Sequence, residues 1–171
     1  MKQLTFPALL LAVMMGCAVQ AQDESAQEFR LSVFGMYCNQ CAYGYERALE
    51  RLPGVTQVSV DLRAGMAVVV TGADVWPEAE LLVRATIDQG LSLRAFEATL
   101  VGHLEHKDIG WVLVAGGREV SLALEGAGLD LAQHVNRTVA LAGAFAGIAG
   151  IEETSGQPRF VPIAVRDVDP T

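Results

Sequence analysis

"EFRLSVFGMYCNQCAYGYERALERLPGVTQVSVDL", Glu28 to Leu62, changes its period twice. Phe29, Leu31 and Val33 first alternate with Arg30 and Ser32, the period of a strand with one apolar face, and Gly35 ends the run. Tyr45, Ala48, Leu49 and Leu52 then recur at helical spacing until Pro53-Gly54 stops the helix. Alternation returns with Val58, Val60 and Leu62. Cys38 and Cys41 therefore fall in the loop and first turn of a helix that follows a strand, and the chain has only one other cysteine, Cys17.

Downstream, Met66, Val68 and Val70 alternate after a hinge at residues 63–65, which completes a β-hairpin. Pro77 opens a second helix whose Leu81, Leu82, Ala85 and Thr86 can line one face, with Gly90 as its C-terminal cap, and "LSLRAFEA" reads as a further strand. The order strand, helix, strand, strand, helix, strand is the split βαβ plan, with two helices on one face of an antiparallel sheet. Beyond Ala98 the pattern turns to short strands: "ATLVGHLEH", "GWVLVAGG", "REVSLALEG", "RTVALAGAF" and "RFVPIAVRDV", with at most a helical turn at "DLAQHV". Five strands with a short helix before the fourth predict a small closed or partly closed barrel that resembles an OB-fold in strand order. The expected fold class is α+β, with a first domain over 28–98, a small all-β barrel over 99–171, and a signal over 1–21. The Gly/Ala-rich "AGAFAGIAG" reads as a flexible connection between strands, since it lacks the lysine and the strand-helix setting of a phosphate-binding loop.

The first 21 residues run in the order charged, apolar, small: Lys2, then "FPALLLAVMMGCAV", then "AVQAQ". That is the order of a secretory signal with cleavage after Ala21, and its apolar run is too short for a good membrane span. "MMGC" also resembles a lipobox, which would make Cys17 a lipid-bearing N-terminus and the only membrane anchor; Met14 departs from the leucine usual there. Both outcomes place the product in the periplasm or outside the cell, the second as an outer-membrane lipoprotein. Removing residues 1–21 removes Lys2 and no acid, so 11 basic residues remain against 20 acidic, a formal net charge of −9. Such a balance argues against a nucleic-acid partner, whose phosphates demand a basic face.

A CxxC pair at the start of a helix serves more than one chemistry. Unpaired backbone N–H groups and the positive end of the helix dipole favour thiolate, which is both the nucleophile of disulfide exchange and a ligand for soft metals. A structural disulfide across so small a loop would stabilise little. A thioredoxin-like oxidoreductase would need a larger strand-helix framework, and cytochrome c attachment fails because Ala42 follows Cys41. Spacing alone leaves metal binding and thiol exchange open.

The frame around the pair resembles the heavy-metal-associated domain of copper chaperones, copper-transporting ATPases and the periplasmic mercury-binding protein. Gly35-Met36-Tyr37-Cys38-Asn39-Gln40-Cys41 matches that family's G-M-x-C-x-x-C, and "PGVTQVSV" its following strand. The resemblance spans roughly Glu28 to Glu97 and implies a ferredoxin-like βαββαβ fold with Cys38 and Cys41 as the ligands of one soft metal ion. It implies that Met36 packs beneath the loop instead of ligating. Two thiolates, with no carboxylate or histidine in the motif, favour Cu(I), or Hg(II), over Zn(II). Many bacterial copper chaperones have an aromatic residue near the start of the last strand, where this chain has Leu91.

The remaining candidates carry less. His103 and His106 stand three apart on a strand, so they point to opposite faces and read as an exposed, unliganded pair. His134 reads as a surface or barrel-lid residue, and Trp111 as a core residue. No Ser-His-acid order stands out. The expected function is non-enzymatic: an exported protein that binds a soft ion and passes it to a transporter, a second chaperone or a cuproprotein, or else sequesters it. A periplasmic thiol-disulfide oxidoreductase using the same pair is the alternative.

Overall fold

The computed structural model describes residues 25–108, 110–124, 128–147 and 159–168. The signal and lipobox readings, Cys17 included, lie outside them, as does the Gly/Ala-rich run beyond Gly147.

Strand β1 (Gln27–Phe34) buries Gln27, Phe29, Leu31 and Val33 and turns Arg30 and Phe34 outward, the alternation its sequence dictates. Helix α1 (Asn39–Glu50) buries Tyr45 and Leu49, with Ala48 and Leu52 half-buried beside them. Strands β2 (Val55–Asp61) and β3 (Met66–Thr71) form the expected hairpin, followed by α2 (Ala79–Asp88) and β4 (Ser92–Lys107). The sheet order β2-β3-β1-β4, antiparallel throughout, with two helices packed against it, is the ferredoxin-like arrangement.

Two faces differ from the sequence reading. On β3 the core takes Ala67, Val69 and Thr71, while Met66, Val68 and Val70 stay half-exposed. "MAVVVT" is apolar at both phases, so pairing decides: Ala67 lies opposite Leu31 and Val69 opposite Phe29, on the buried side of β1. On α2 the buried face is Ala79, Leu82, Val83 and Thr86, and Leu81 is exposed. The helix starts at Ala79, and the 3.6-residue period from that point selects Val83 over Leu81.

The largest difference is at residue 98, where the sequence pattern placed a boundary. β4 is a single strand of 16 residues that runs through it, changing neighbours as it goes. Its first part, Ser92–Thr99, pairs with β1; Glu97–His103 pairs with β7 (Thr138–Ala146) on the opposite edge; His103–Lys107 pairs with β5 (Gly110–Ala115). Gln27 ties the two parts together. Its buried side-chain amide donates to the Val101 carbonyl at 2.9 Å and accepts from the Val101 N–H at 2.6 Å, continuing the ladder with a side chain where the β1 backbone has ended. Gln27→Leu would strand both Val101 groups in the interior, so it is expected to cost roughly 2–4 kcal/mol, read as a lower urea midpoint at unchanged slope. An unchanged midpoint would mean that water replaces the amide.

β6 (Arg118–Ser121) extends β5, β8 (Arg159–Asp167) extends β7, and a 3₁₀ turn at Ala132–His134 precedes β7. The strands and the helical turn fall where the sequence put them, and β7 includes Ala142–Ala146, which had been read as a flexible connection. The closed form of the barrel is not borne out: among the described residues the sheet does not close. Between the β6 end and β8 the described residues make one parallel bridge, Leu122 to Phe160, because β6 is only four residues long and offers no ladder. A file of rings runs through both parts: Phe29 to Phe96 at 6.2 Å, Phe96 to Phe145 at 4.8 Å, and Phe145 to Phe160 at 5.2 Å between centroids. These rings belong to one continuous apolar core.

Candidate metal centre

At the end of β1 the chain must turn over the end of the sheet to start α1. Gly35 makes that turn at φ +103°, a conformation that side-chain-bearing residues rarely adopt, and it lies against Gly90 and Leu91 at the start of β4. Met36 points down and is buried, whereas Tyr37 points out and is 74% exposed. Cys38 is the N-cap of α1 in an extended conformation, and its Sγ accepts the Cys41 N–H at 3.0 Å. The sulfur thus takes the place that a serine or aspartate oxygen usually fills at a helix start.

Both cysteines are exposed, their Cα atoms are 5.2 Å apart, and they are joined as a disulfide. Leu91, at the position where the resemblance led to an aromatic ring, is buried beside Gly35. The rim of the loop carries aromatic residues that sequence reasoning did not single out. Phe34 and Tyr37 meet edge to face at 5.7 Å, the Arg94 guanidinium sits 4.5 Å from the Phe34 centroid, and Arg47 stands 5.1 Å from that of Tyr43. The signal for Phe34 was its even position on β1, the outward phase of the alternation.

One turn after Cys41, Tyr45 anchors α1 on α2. Thr86 Oγ1 gives its proton to the Leu82 carbonyl at 2.9 Å, so the Tyr45 O–H donates to Thr86 at 2.7 Å. Burial pushes the Tyr45 phenol up to about 12. A phenol raised in the folded state contributes stability that is present below the ordinary value of 10 and lost as pH rises toward 12. Alkaline unfolding should therefore remove roughly 3 kcal/mol across that window, and Tyr45→Phe should flatten this part of the profile. An equally steep profile in the variant would assign the loss to other groups.

The histidines stand apart from the cysteines. His103 and His106 are both exposed, and the His106 ring meets Trp111 edge-on at 4.7 Å. Trp111 is half-buried at the margin of the core, less enclosed than expected, because it sits at the open end of β5 opposite His106. His134 Nδ1 is 2.8 Å from Asp167 Oδ1, which ties the 3₁₀ turn to β8. Among the described residues no group of three or more His, Cys, Asp or Glu side chains is placed to hold an ion.

Residues 30–102 match the family model described as "Heavy-metal-associated domain". The chain belongs to the heavy-metal-associated domain family. The match to that domain ends inside β4, just past the Gln27 contact at Val101. Among solved structures, the chain is 30% identical to a protein described as "the putative copper-ion-binding protein from Bacillus anthracis str. Ames", covering 40% of this chain and 96% of that one, with a TM-score of 0.37. It is likewise 30% identical to a chain from a study of crosstalk between Cu(I) and Zn(II) homeostasis, covering 39% of this chain and 94% of that one, with a TM-score of 0.36. The N-terminal domain of PacS from Synechocystis PCC6803 is also 30% identical, covering 39% of this chain and 92% of that domain, with a TM-score of 0.35. No curated protein matches the chain.

Proposed function

We propose that the protein is a carrier or store for one soft metal ion, Cu(I) before Hg(II), held between the Cys38 and Cys41 thiolates. The observation that carries this reading is an exposed cysteine pair at the N-terminus of α1, with Cα atoms 5.2 Å apart, inside a heavy-metal-associated domain. Two thiolates suit an ion content with near-linear coordination, and no third ligand is assembled among the described residues. Zn(II) wants four ligands and finds two.

The ion is cargo, and the chemistry is ligand exchange. A partner's thiolate reaches the exposed site, bonds to the ion, and one of the two cysteine sulfurs then leaves. The aromatic residues and arginines around the loop lie where such a partner, a transporter, second chaperone or cuproprotein, would make contact. Loading requires that the disulfide first accept two electrons and two protons, which a reduced dithiol can supply by exchange. The signal-like residues 1–21 place this work outside the cytoplasm in our reading.

The test is anaerobic titration of the reduced protein with Cu(I) against a competing chelator, run beside an insulin-reduction assay. Binding of one ion without reductase activity is the expected result. Reductase turnover with no tight binding would replace the carrier with a thiol-disulfide oxidoreductase built on the same pair.

A further inference from the structure

β1 leads to the cysteine loop at the end of the sheet marked by the Phe34 and Ser92 pair, whereas β3 leads to Trp76 and α2 at the other end, marked by the Gln27 and Thr71 pair. At that far end, where the β5–β8 part joins the metal-binding domain, lies a cleft of about 750 Å³. Its volume is within the range of small-ligand sites, about 300–1,000 Å³. Its lining mixes charged side chains from α2, β6 and β8 with two aromatic rings. Trp76 and Phe145 are both nearly buried and both line the space, and the Trp76 indole is fixed by its Nε1–H on the Ala115 carbonyl at 3.4 Å.

The charges in this cleft are only partly matched. Arg118 stands 5.4 Å from the Trp76 ring centroid and 3.7 Å from Glu78, and Glu119 is taken by Lys107 at 2.6 Å. That leaves Arg159, at the start of β8, and Glu80, in the first turn of α2, without an ion-pair partner among the described residues. Both line the same cleft, on separate elements, and they do not bond to each other. A guanidinium and a carboxylate lining one cleft with two aromatic rings are complementary to one molecule that carries both charges and an apolar body.

We propose that this cleft binds a small zwitterion with an apolar side chain, an α-amino acid in chemical class. The carboxylate lies on Arg159, the ammonium at Glu80, and the side chain on Trp76 and Phe145. The site is independent of the metal reading, since it uses neither cysteine.

The probe is L-phenylalanine, read by Trp76 fluorescence in a Trp111→Phe background and by amide shift mapping on the full chain. Saturable binding with shifts around α2 and β6 is expected. Blocking either charge, as N-acetyl-L-phenylalanine or L-phenylalaninamide, should weaken it about tenfold or more, as should Arg159→Gln and Glu80→Gln. Cys38→Ser should leave it unchanged. Both cleft substitutions are at exposed side chains, so circular dichroism should confirm an intact fold. Failure to saturate by about 10 mM, which is weaker than about 3 kcal/mol of binding, would overturn the proposal. So would equal binding of the blocked derivatives, or shifts confined to other surfaces.

Discussion

Replacing either Cys38 or Cys41 by serine is expected to lower Cu(I) affinity at least about a thousandfold while leaving the fold in place. Both side chains are exposed, and the interaction Cys38 makes with the helix is one that serine makes better: its Oγ can accept the Cys41 N–H in place of the sulfur. A fold-neutral loss of binding is therefore the result that separates a ligand from a scaffold residue. The reduced parent should also prefer Cu(I) to Zn(II) by many orders of magnitude in competition. Comparable Zn(II) affinity, or undiminished Cu(I) affinity after loss of Cys38, would show that other residues make the site.

Gly54→Ala should be among the most damaging single substitutions for stability, at about 3 kcal/mol or more. Gly54 follows α1 at φ +76°, and an added Cβ would overlap the carbonyl of Val75, the residue just before Trp76. Backbone is the obstacle, so no rotamer change relieves it. Gly90→Ala provides the control: its φ is +73°, but nothing lies within 4 Å of the added carbon, leaving the conformational cost alone, about 1 kcal/mol. Urea midpoints that fall equally for the two variants would show that the Val75 segment gives way.

How much of this the sequence discloses depends on the range of the interaction. The β1-loop-α1 segment is legible because its cues are local: the alternation Phe29, Leu31, Val33, the turn at Gly35, and the thiol pair at the helix start. The inward phase of β3 is not legible, since Met66–Val70 is apolar at every position and only the pairing with β1 decides it. Nor does any local cue show that β4 continues through Ala98, because what changes there is the neighbour and not the strand. The Gln27 amide reaches a backbone 74 positions away, and Arg159 and Glu80 are brought to one cleft by the whole fold. The cysteines could be found by pattern; the second cleft could not.

The run Glu97–Thr99 has a neighbour on each side, Glu28–Arg30 in β1 and Ala142–Ala144 in β7. Each of its amides therefore faces protein and not an open edge, and opening either neighbour leaves the other holding it. In native-state hydrogen exchange these amides report the global free energy of unfolding, while β2, an outer strand, reports local fraying. The segment that joins two sequence patterns is then the last part of the molecule to exchange with solvent.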